Sequence, residues 1–432
     1  MSPPELDERR YADYALNLHD FGIFGLSGTA RDTQPPPGNA NSPLYPAFIA
    51  TVMRFDMALA ESVRCELRKT IKQSIEQAGN SACPQNYTAL LFTQLVLVVI
   101  SMALLWLTAQ MLFGRYCLSW LAGLLAYAST KPDFYARNML TEILVLVFFA
   151  ILLFSLTAAL RSDKKHWWGV LGAALACLTL TRPEYLYLSA ILLVLGTLTT
   201  LIKRQFNNWS RLLIPVCTFI IIAGPWVMRN YVHFDTVSIT GGYGDKTIAY
   251  RASYNRMSEQ EWKAAFVYWL PGYGERLATR FLDPQSYAKL GTDENSYLYK
   301  EGVEIFEAGL SAVNGKRERL TSYLIRTEIL QNPTAHILAS MPLAWRGVLT
   351  GKYLAVVGLP SFILLLYYAF RTRQSVLLIL CFPAIFMICF YAGASVSIPR
   401  YNIYLIYYYA ISIAWLACSG FALVKNKLTL RH

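Results

Sequence analysis

Residues 140–160 read LTEILVLVFFAILLFSLTAAL, a run of the ~20 apolar residues a helix needs to cross the hydrocarbon core of a bilayer, with one carboxylate, Glu142, at its mouth. Eight further apolar runs lie between residue 88 and the end: Thr88–Phe113, Leu118–Ser129, Trp167–Thr181, Tyr185–Ile202, Leu212–Val227, Tyr353–Phe370, Val376–Ala394 and Ile403–Val424. Of the 432 residues 55% are hydrophobic and 15% charged, against about 25% charged in a soluble protein. These features predict an all-α polytopic membrane protein of about nine transmembrane helices.

Basic residues set the expected orientation, because Lys and Arg are retained on the cytoplasmic side of short loops. Alternating the loops places Arg115, Arg161, Lys164, Lys165, Lys203, Arg204, Arg211, Arg371, Arg373, Lys425, Lys427 and Arg431 inside, with Asp163 the sole acid among them. Those turns carry +11 of the formal net charge of +12, so membrane topology accounts for the basic balance and no nucleic-acid partner is implied. The segment before residue 88 has eight basic and ten acidic residues, and Met228–Trp345 has thirteen of each. Both read as external. The expected organisation is an external first loop over 1–87, membrane helices over 88–227, an external subdomain over 228–345, and membrane helices with a short cytoplasmic tail over 346–432.

Within 1–87 a helical pattern around Tyr11, Tyr14, Ala15 and Leu18 stops near Gly22, and a turn-rich stretch runs from Gln34 to Pro43. A second helix repeats Leu59, Val63, Leu67, Ile71 and Ile75 every four residues. Its opposite face holds Arg64, Arg68, Lys69 and Lys72, so it suits the membrane interface or the protein's own surface equally well. The segment 228–345 reads as short amphipathic helices and loops. Cys65 and Cys83 are the two cysteines well outside the apolar runs; an oxidising compartment would allow them to pair, but spacing alone does not establish a disulfide.

Nine charged residues remain at the external ends of the spans: Lys131, Asp133, Arg137, Glu142, Arg182, Glu184, Arg346, Lys352 and Arg400. Glu142 stands out, since an ionised carboxylate facing lipid near the bilayer centre costs up to ~3 kcal/mol. It is expected to face a polar cavity. Each residue singly suits a helix cap or a headgroup contact; nine on one face point to a site.

The order of these residues carries a resemblance. Asp7-Glu8-Arg9-Arg10-Tyr11-Ala12-Asp13, followed by Phe21-Gly22 and Ser42-Pro43-Leu44-Tyr45-Pro46, resembles the first external loop of the GT-C superfamily of glycosyltransferases. The match is to the branch containing protein O-mannosyltransferases and the aminoarabinose transferase of lipid A. Arg137–Glu142, Leu180–Glu184, Pro225–Asn230 and Pro399–Tyr401 continue it, so the resemblance runs from residue 7 to about 425. It implies a GT-C-like bundle and an inverting transfer from a polyprenyl-phosphate sugar to an unidentified glycan, lipid or protein acceptor. It also implies a bacterial inner-membrane enzyme with an extracytoplasmic active site.

The residue types suit that chemistry. An acceptor hydroxyl needs a carboxylate to take its proton, and a departing phosphate needs cations. By the resemblance, Asp7 is the base and Glu142 the second acid. Arg229 and Arg400, with Lys246 and Arg182 behind them, would hold the donor phosphate, and Glu8, Tyr45, Asn138, Glu184 and Tyr401 would contact acceptor or sugar. No cofactor or metal is required, the lipid-linked sugar being a co-substrate. Two departures stand out. The basic residue expected before Pro43 is missing, with Arg31 or Arg54 as substitutes, and the family's helix before the Asp-Glu motif is expected upstream of Asp7. Rival readings are a transporter or flippase of a lipid-linked sugar, a GT-C ligase using a diphosphate-linked glycan, and a non-catalytic scaffold. Charges gathered at one edge and the absence of an internal repeat favour transfer over transport.

Overall fold

A computed structural model of the chain describes residue 4 and residues 6–27, 33–73, 83–129, 131–162, 164–202, 209–241 and 244–429. Among these residues there are helices, turns and loops but no β-strand. Contacts divide the chain into two compact units, residues 1–241 and 242–432.

The first unit contains α1 (Leu6–Phe21), α2 (Leu44–Phe55), α3 (Met57–Gln73), α4 (Thr88–Phe113), α5 (Tyr116–Ala128), α6 (Lys131–Ala136), α7 (Glu142–Arg161), α8 (His166–Thr181), α9 (Tyr185–Ile202) and α10 (Trp209–Phe234). Asp7 and Glu8 favour the start of α1 through its dipole, and Gly22, at φ +68°, ends it in the left-handed conformation that glycine tolerates. Ala12, Ala15 and Leu16 of α1 pack with Tyr45 and Ile49 of α2 and with Leu59, Val63 and Leu67 of α3. The apolar stripe of α3 therefore faces the protein's own core. Ile75, and the side chains of Ile71 and Lys72, lie outside the described residues, as do Arg31, Asp163, Lys203, Arg204 and Arg431. A disulfide joins Cys65 of α3 to Cys83 ahead of α4, with Cα atoms 5.7 Å apart.

α7 is the buried axis of this unit. It packs against both α4 and α8, and 15 of its 20 residues are buried, as a helix apolar all round requires. α10 behaves oppositely and exposes Ile220, Ile221, Met228 and Val232. It also continues beyond the expected end at Val227, because the polar groups of Arg229 and Asn230 find oxygens in neighbouring loops rather than breaking the helix.

The second unit contains α11 (Gly244–Ser253), α12 (Glu259–Tyr268), α13 (Gly274–Ala278), α14 (Pro284–Leu290), α15 (Gly302–Ala312), α16 (Arg317–Leu324), α17 (Pro333–Val348), α18 (Tyr353–Arg371), α19 (Ser375–Ala394) and α20 (Leu405–Thr429). The expected short helices of the polar segment are present. Ser258 and Glu261 cap α12 reciprocally, and Asp283 caps α14 ahead of Pro284. Tyr254, Tyr268, Tyr297 and Leu343 form a core that also includes Ala392 and Val396.

All nine expected apolar runs are helical. Among the described residues five helices are long and apolar enough to cross a membrane: α4, α7, α10, α18 and α19. The other four runs lie in α5, α8, α9 and α20.

Candidate functional site

In the first unit the candidate residues gather around Tyr45. Its fully buried ring stands edge-on to Tyr11 of α1 at 5.5 Å between centroids. Its hydroxyl donates to Oε1 of Gln94 at 2.9 Å, and Nε2 of Gln94 donates to the carbonyls of Ala136 at 2.9 Å and Asn138 at 3.3 Å. One amide inside α4 thus ties the first loop to the turn that leads into α7. Burial pushes the Tyr45 phenol well above its ordinary pKa, and the charges of Glu142 and then Glu8 push it further.

Glu142 is wholly buried, and its Oε1 accepts a hydrogen bond from Nη2 of Arg182 at 2.7 Å. Nε of Arg182 donates to Oγ1 of Thr141 at 3.0 Å. Glu142 was expected to face a polar cavity; its charge is instead met by a guanidinium delivered from the end of α8. Arg182, a candidate phosphate ligand, is engaged by that carboxylate. A buried ion pair adds little net stability, because desolvating two charges offsets their attraction. Glu184, two residues on, is half-buried, with Oε2 shielded and no hydrogen-bond partner among the described residues.

At the start of α1 the two acids differ. Asp7 is exposed, 3.9 Å from Nη2 of Arg10, whereas Glu8 is half-buried. Nη2 of Arg9 donates to the carbonyls of Glu66 at 2.9 Å and Leu67 at 3.2 Å, which holds this end of α1 against α3. Asp13 is buried and accepts from the backbone N–H of Ser27 at 3.2 Å, so it clamps the turn after α1. Beyond the other end of that helix lies a cavity of about 490 Å³ where Asp20 bridges His19 at 2.7 Å and Arg64 at 2.8 Å.

Arg229 lies over the Trp226 ring, 4.8 Å from its centroid, and donates to the carbonyls of Gly38 at 2.7 Å and Phe24 at 3.1 Å and to Oδ1 of Asn230 at 2.9 Å. These partners are neutral oxygens, and through them Arg229 pins the loop after α1. Asn138 donates from its side chain to the carbonyl of Phe134 at 2.7 Å, a turn-closing role. Asp133 and Arg137, 3.1 Å apart, form an exposed pair one helical turn apart. Arg54 is exposed in the last turn of α2.

Lys246, Arg400 and Tyr401 belong to the second unit. Lys246 is half-buried, with Nζ 5.3 Å from the centroid of Phe306, and Arg400 is half-buried in the turn between α19 and α20. Tyr401 stands 5.4 Å from Tyr391, centroid to centroid. Arg346 donates to the hydroxyl of Tyr254 at 3.3 Å and lies over Trp269. The sequence reading missed two residues. Gln94 is uncharged, though an amide in an apolar run is itself a signal. Arg251 is wholly buried and donates to the carbonyls of Ala392 at 2.6 Å and His336 at 2.8 Å, to Oγ of Ser340 at 2.7 Å and to Oδ1 of Asn255 at 2.9 Å. Among the described residues no three His, Cys, Asp or Glu side chains gather as metal ligands would.

Residues 80–228, about a third of the chain, match the family model of dolichyl-phosphate-mannose-protein mannosyltransferase. That segment contains Gln94, Asn138, Glu142, Arg182 and Glu184, while Asp7, Glu8, Tyr45, Arg229, Lys246, Arg400 and Tyr401 lie outside it. The chain is also similar to crystal structures of ArnT from Cupriavidus metallidurans. The structure bound to undecaprenyl phosphate aligns at 13% identity and a TM-score of 0.41, covering 95% of this chain and 74% of that one. The apo structure aligns at 14% identity and a TM-score of 0.38, covering 95% and 73%. No curated protein sequence matches the chain.

Proposed function

We propose that the protein is a glycosyltransferase that moves a sugar from a polyprenyl-phosphate carrier to an extracytoplasmic acceptor, with inversion at the anomeric carbon. The observation that carries this reading is the buried network that joins Tyr45, through Gln94, to the turn ahead of Glu142, with Arg182 locked to Glu142 at 2.7 Å. The family match over 80–228 supports a phosphate-linked sugar as donor.

In this scheme Asp7, exposed at the start of α1, takes the proton of the acceptor hydroxyl as that oxygen attacks the anomeric carbon. The bond from that carbon to the carrier phosphate breaks on the opposite face, and the phosphate leaves as an anion. Arg229 supplies positive charge to it from a fixed position, since its other contacts are neutral and it needs no rearrangement. Glu142 and Arg182 hold the turn before α7 and the end of α8 together, and so set the shape of the site. Glu8 and Glu184 face the acceptor or the sugar. The disulfide between Cys65 and Cys83 suits an oxidising, extracytoplasmic location for the first loop.

The test uses purified protein in nanodiscs with a panel of polyprenyl-phosphate sugars. Asp7→Asn keeps the side chain's size but removes the proton acceptor, so single-turnover transfer falls about 10²–10⁴-fold while donor affinity holds. Near-normal transfer by a folded Asp7→Asn protein eliminates Asp7 as the base. Consumption of none of the panel by the unaltered protein counts against the donor class.

A further inference from the structure

We infer that the segment Leu270–Leu282 of the second unit is a membrane-surface anchor that docks on the anionic phospholipid headgroups of the bilayer. This goes beyond sugar transfer and rests only on α18 being a membrane span.

The segment reads LPGYGERLATRFL. Gly274, Ala278 and Leu282, spaced every four residues, are buried, and Ala278 and Leu282 join the core of the second unit. The neighbouring stripe has the same spacing and is exposed: Tyr273 is 64%, Leu277 38% and Phe281 60% accessible. Three large apolar side chains on one short ridge are costly in water, since each fully buried side chain of this size is worth about 1.5–3 kcal/mol. Arg276 and Arg280, also every four residues, flank the ridge and are exposed. Glu275 is the one acid in the segment, which leaves a net charge of +1. An apolar ridge edged by arginines and carrying aromatic rings is the composition that sits at a headgroup boundary: rings and aliphatic carbons sink, and guanidinium groups meet phosphate.

A second observation sets the level of the ridge. Gly272, at φ +82°, turns the chain into the segment, and a methyl group placed there would stand 3.2 Å from the hydroxyl oxygen of Tyr353. Tyr353 is the first residue of α18, and like Val356, Val357, Ile363 and Tyr367 further along that helix it is exposed. Those apolar side chains make the lipid-facing side of the span. Tyr353 and the adjoining Lys352 then mark where the span meets the headgroups. The ridge begins beside that mark. It therefore continues a surface that already faces lipid, and its charge selects the anionic headgroups.

The test places a photoreactive benzophenone amino acid at position 277, and separately at 281, in the full-length protein. Each variant is reconstituted in nanodiscs holding equal amounts of phosphatidylglycerol and phosphatidylcholine, with position 363 as the control on the span. Adducts are identified by mass spectrometry after illumination. Phospholipid adducts are expected at 277 and 281, enriched about fivefold in phosphatidylglycerol over its share of the lipid. Arg276→Gln with Arg280→Gln should return that ratio to the bulk mixture while the adducts persist. Water or protein adducts at 277 and 281, with phospholipid adducts at 363, overturn the proposal. So does enrichment that survives loss of both arginines, or preferential capture of added undecaprenyl phosphate, which would make the ridge a donor contact. Failure to capture lipid at 363 overturns the membrane span itself, and the anchor with it. Sugar transfer is measured separately, so neither outcome bears on the proposed reaction.

Discussion

Arg182 in the first unit and Arg251 in the second are both buried, and they meet the cost of burial by different means. Arg182 faces a carboxylate, Glu142, at 2.7 Å, so the pair is neutral as a whole. Arg251 has four partners, all of them uncharged: two backbone carbonyls, a hydroxyl and an amide oxygen. Burial pulls its pKa down to about 10, still far enough above neutrality to keep it charged. The first arrangement binds two positions in the chain through opposite charges, at the cost of an acid and a base that must stay matched. The second uses a single charge as a fork that gathers α11, α17 and the end of α19. The ion pair is a tie between two charges, whereas the guanidinium surrounded by neutral oxygens is a staple.

The comparison breaks most visibly at Arg182. Arg182→Met alone leaves Glu142 charged and uncompensated, and should cost about 3–5 kcal/mol. Combining it with Glu142→Gln should recover most of that stability. Thermal unfolding in detergent of both single variants and the double variant measures the coupling, and additive losses would mean that the two charges do not act as a pair. Sugar transfer by the double variant then tells whether the pair serves only the fold.

At Arg251 no partner can be changed to compensate. Arg251→Met should cost about 2–4 kcal/mol, since it removes a charged donor from four buried or half-buried oxygens at once. Arg251→Lys should recover less than half of the loss, because one ammonium cannot span the fork. Full recovery by lysine in the same unfolding experiment would show that charge, not fork geometry, is what the site requires.

The smallest expected effect is one of pH. His336 lies beside Arg251, with Nε2 2.9 Å from the carbonyl oxygen of Gly393, and burial, reinforced by the Arg251 charge, lowers its pKa to about 4. The unfolded chain, with an ordinary imidazole near 6.5, takes up the proton first as the pH falls. Stability is therefore complete above pH 6.5 and declines progressively toward pH 4. After allowance for solvent screening at this half-buried site, the loss amounts to about 1–2 kcal/mol. His336→Gln should flatten that part of the profile, read as unfolding temperature between pH 7 and pH 4.5; an unchanged slope would assign the acid sensitivity to other groups.

The spans were legible because hydrocarbon leaves little choice: a run such as that from Ile143 to Leu160 cannot be satisfied in water, and helices formed at every expected run. The ends were harder to read. Arg229 and Asn230 look like a stop, yet α10 runs on to Phe234, because Phe24, Gly38, Ser238 and Ile239 supply the oxygens those side chains need. Glu142 was conspicuous in the sequence, but its partner was not, since nothing local links it to Arg182 at the far end of a hairpin of helices. Gln94 carries no charge, so the pattern of charged residues does not single it out. The face of α3 was undecidable from periodicity alone, which shows that a stripe exists and not what covers it.

The bond between Cys65 and Cys83 gives this protein a chemical memory of its assembly. A first loop left on the reducing side of a membrane would carry two thiols, while one delivered to an oxidising side would carry none at these positions. Counting reactive thiols in the denatured, unreduced protein would thus sort correctly inserted molecules from inverted ones without any label or antibody.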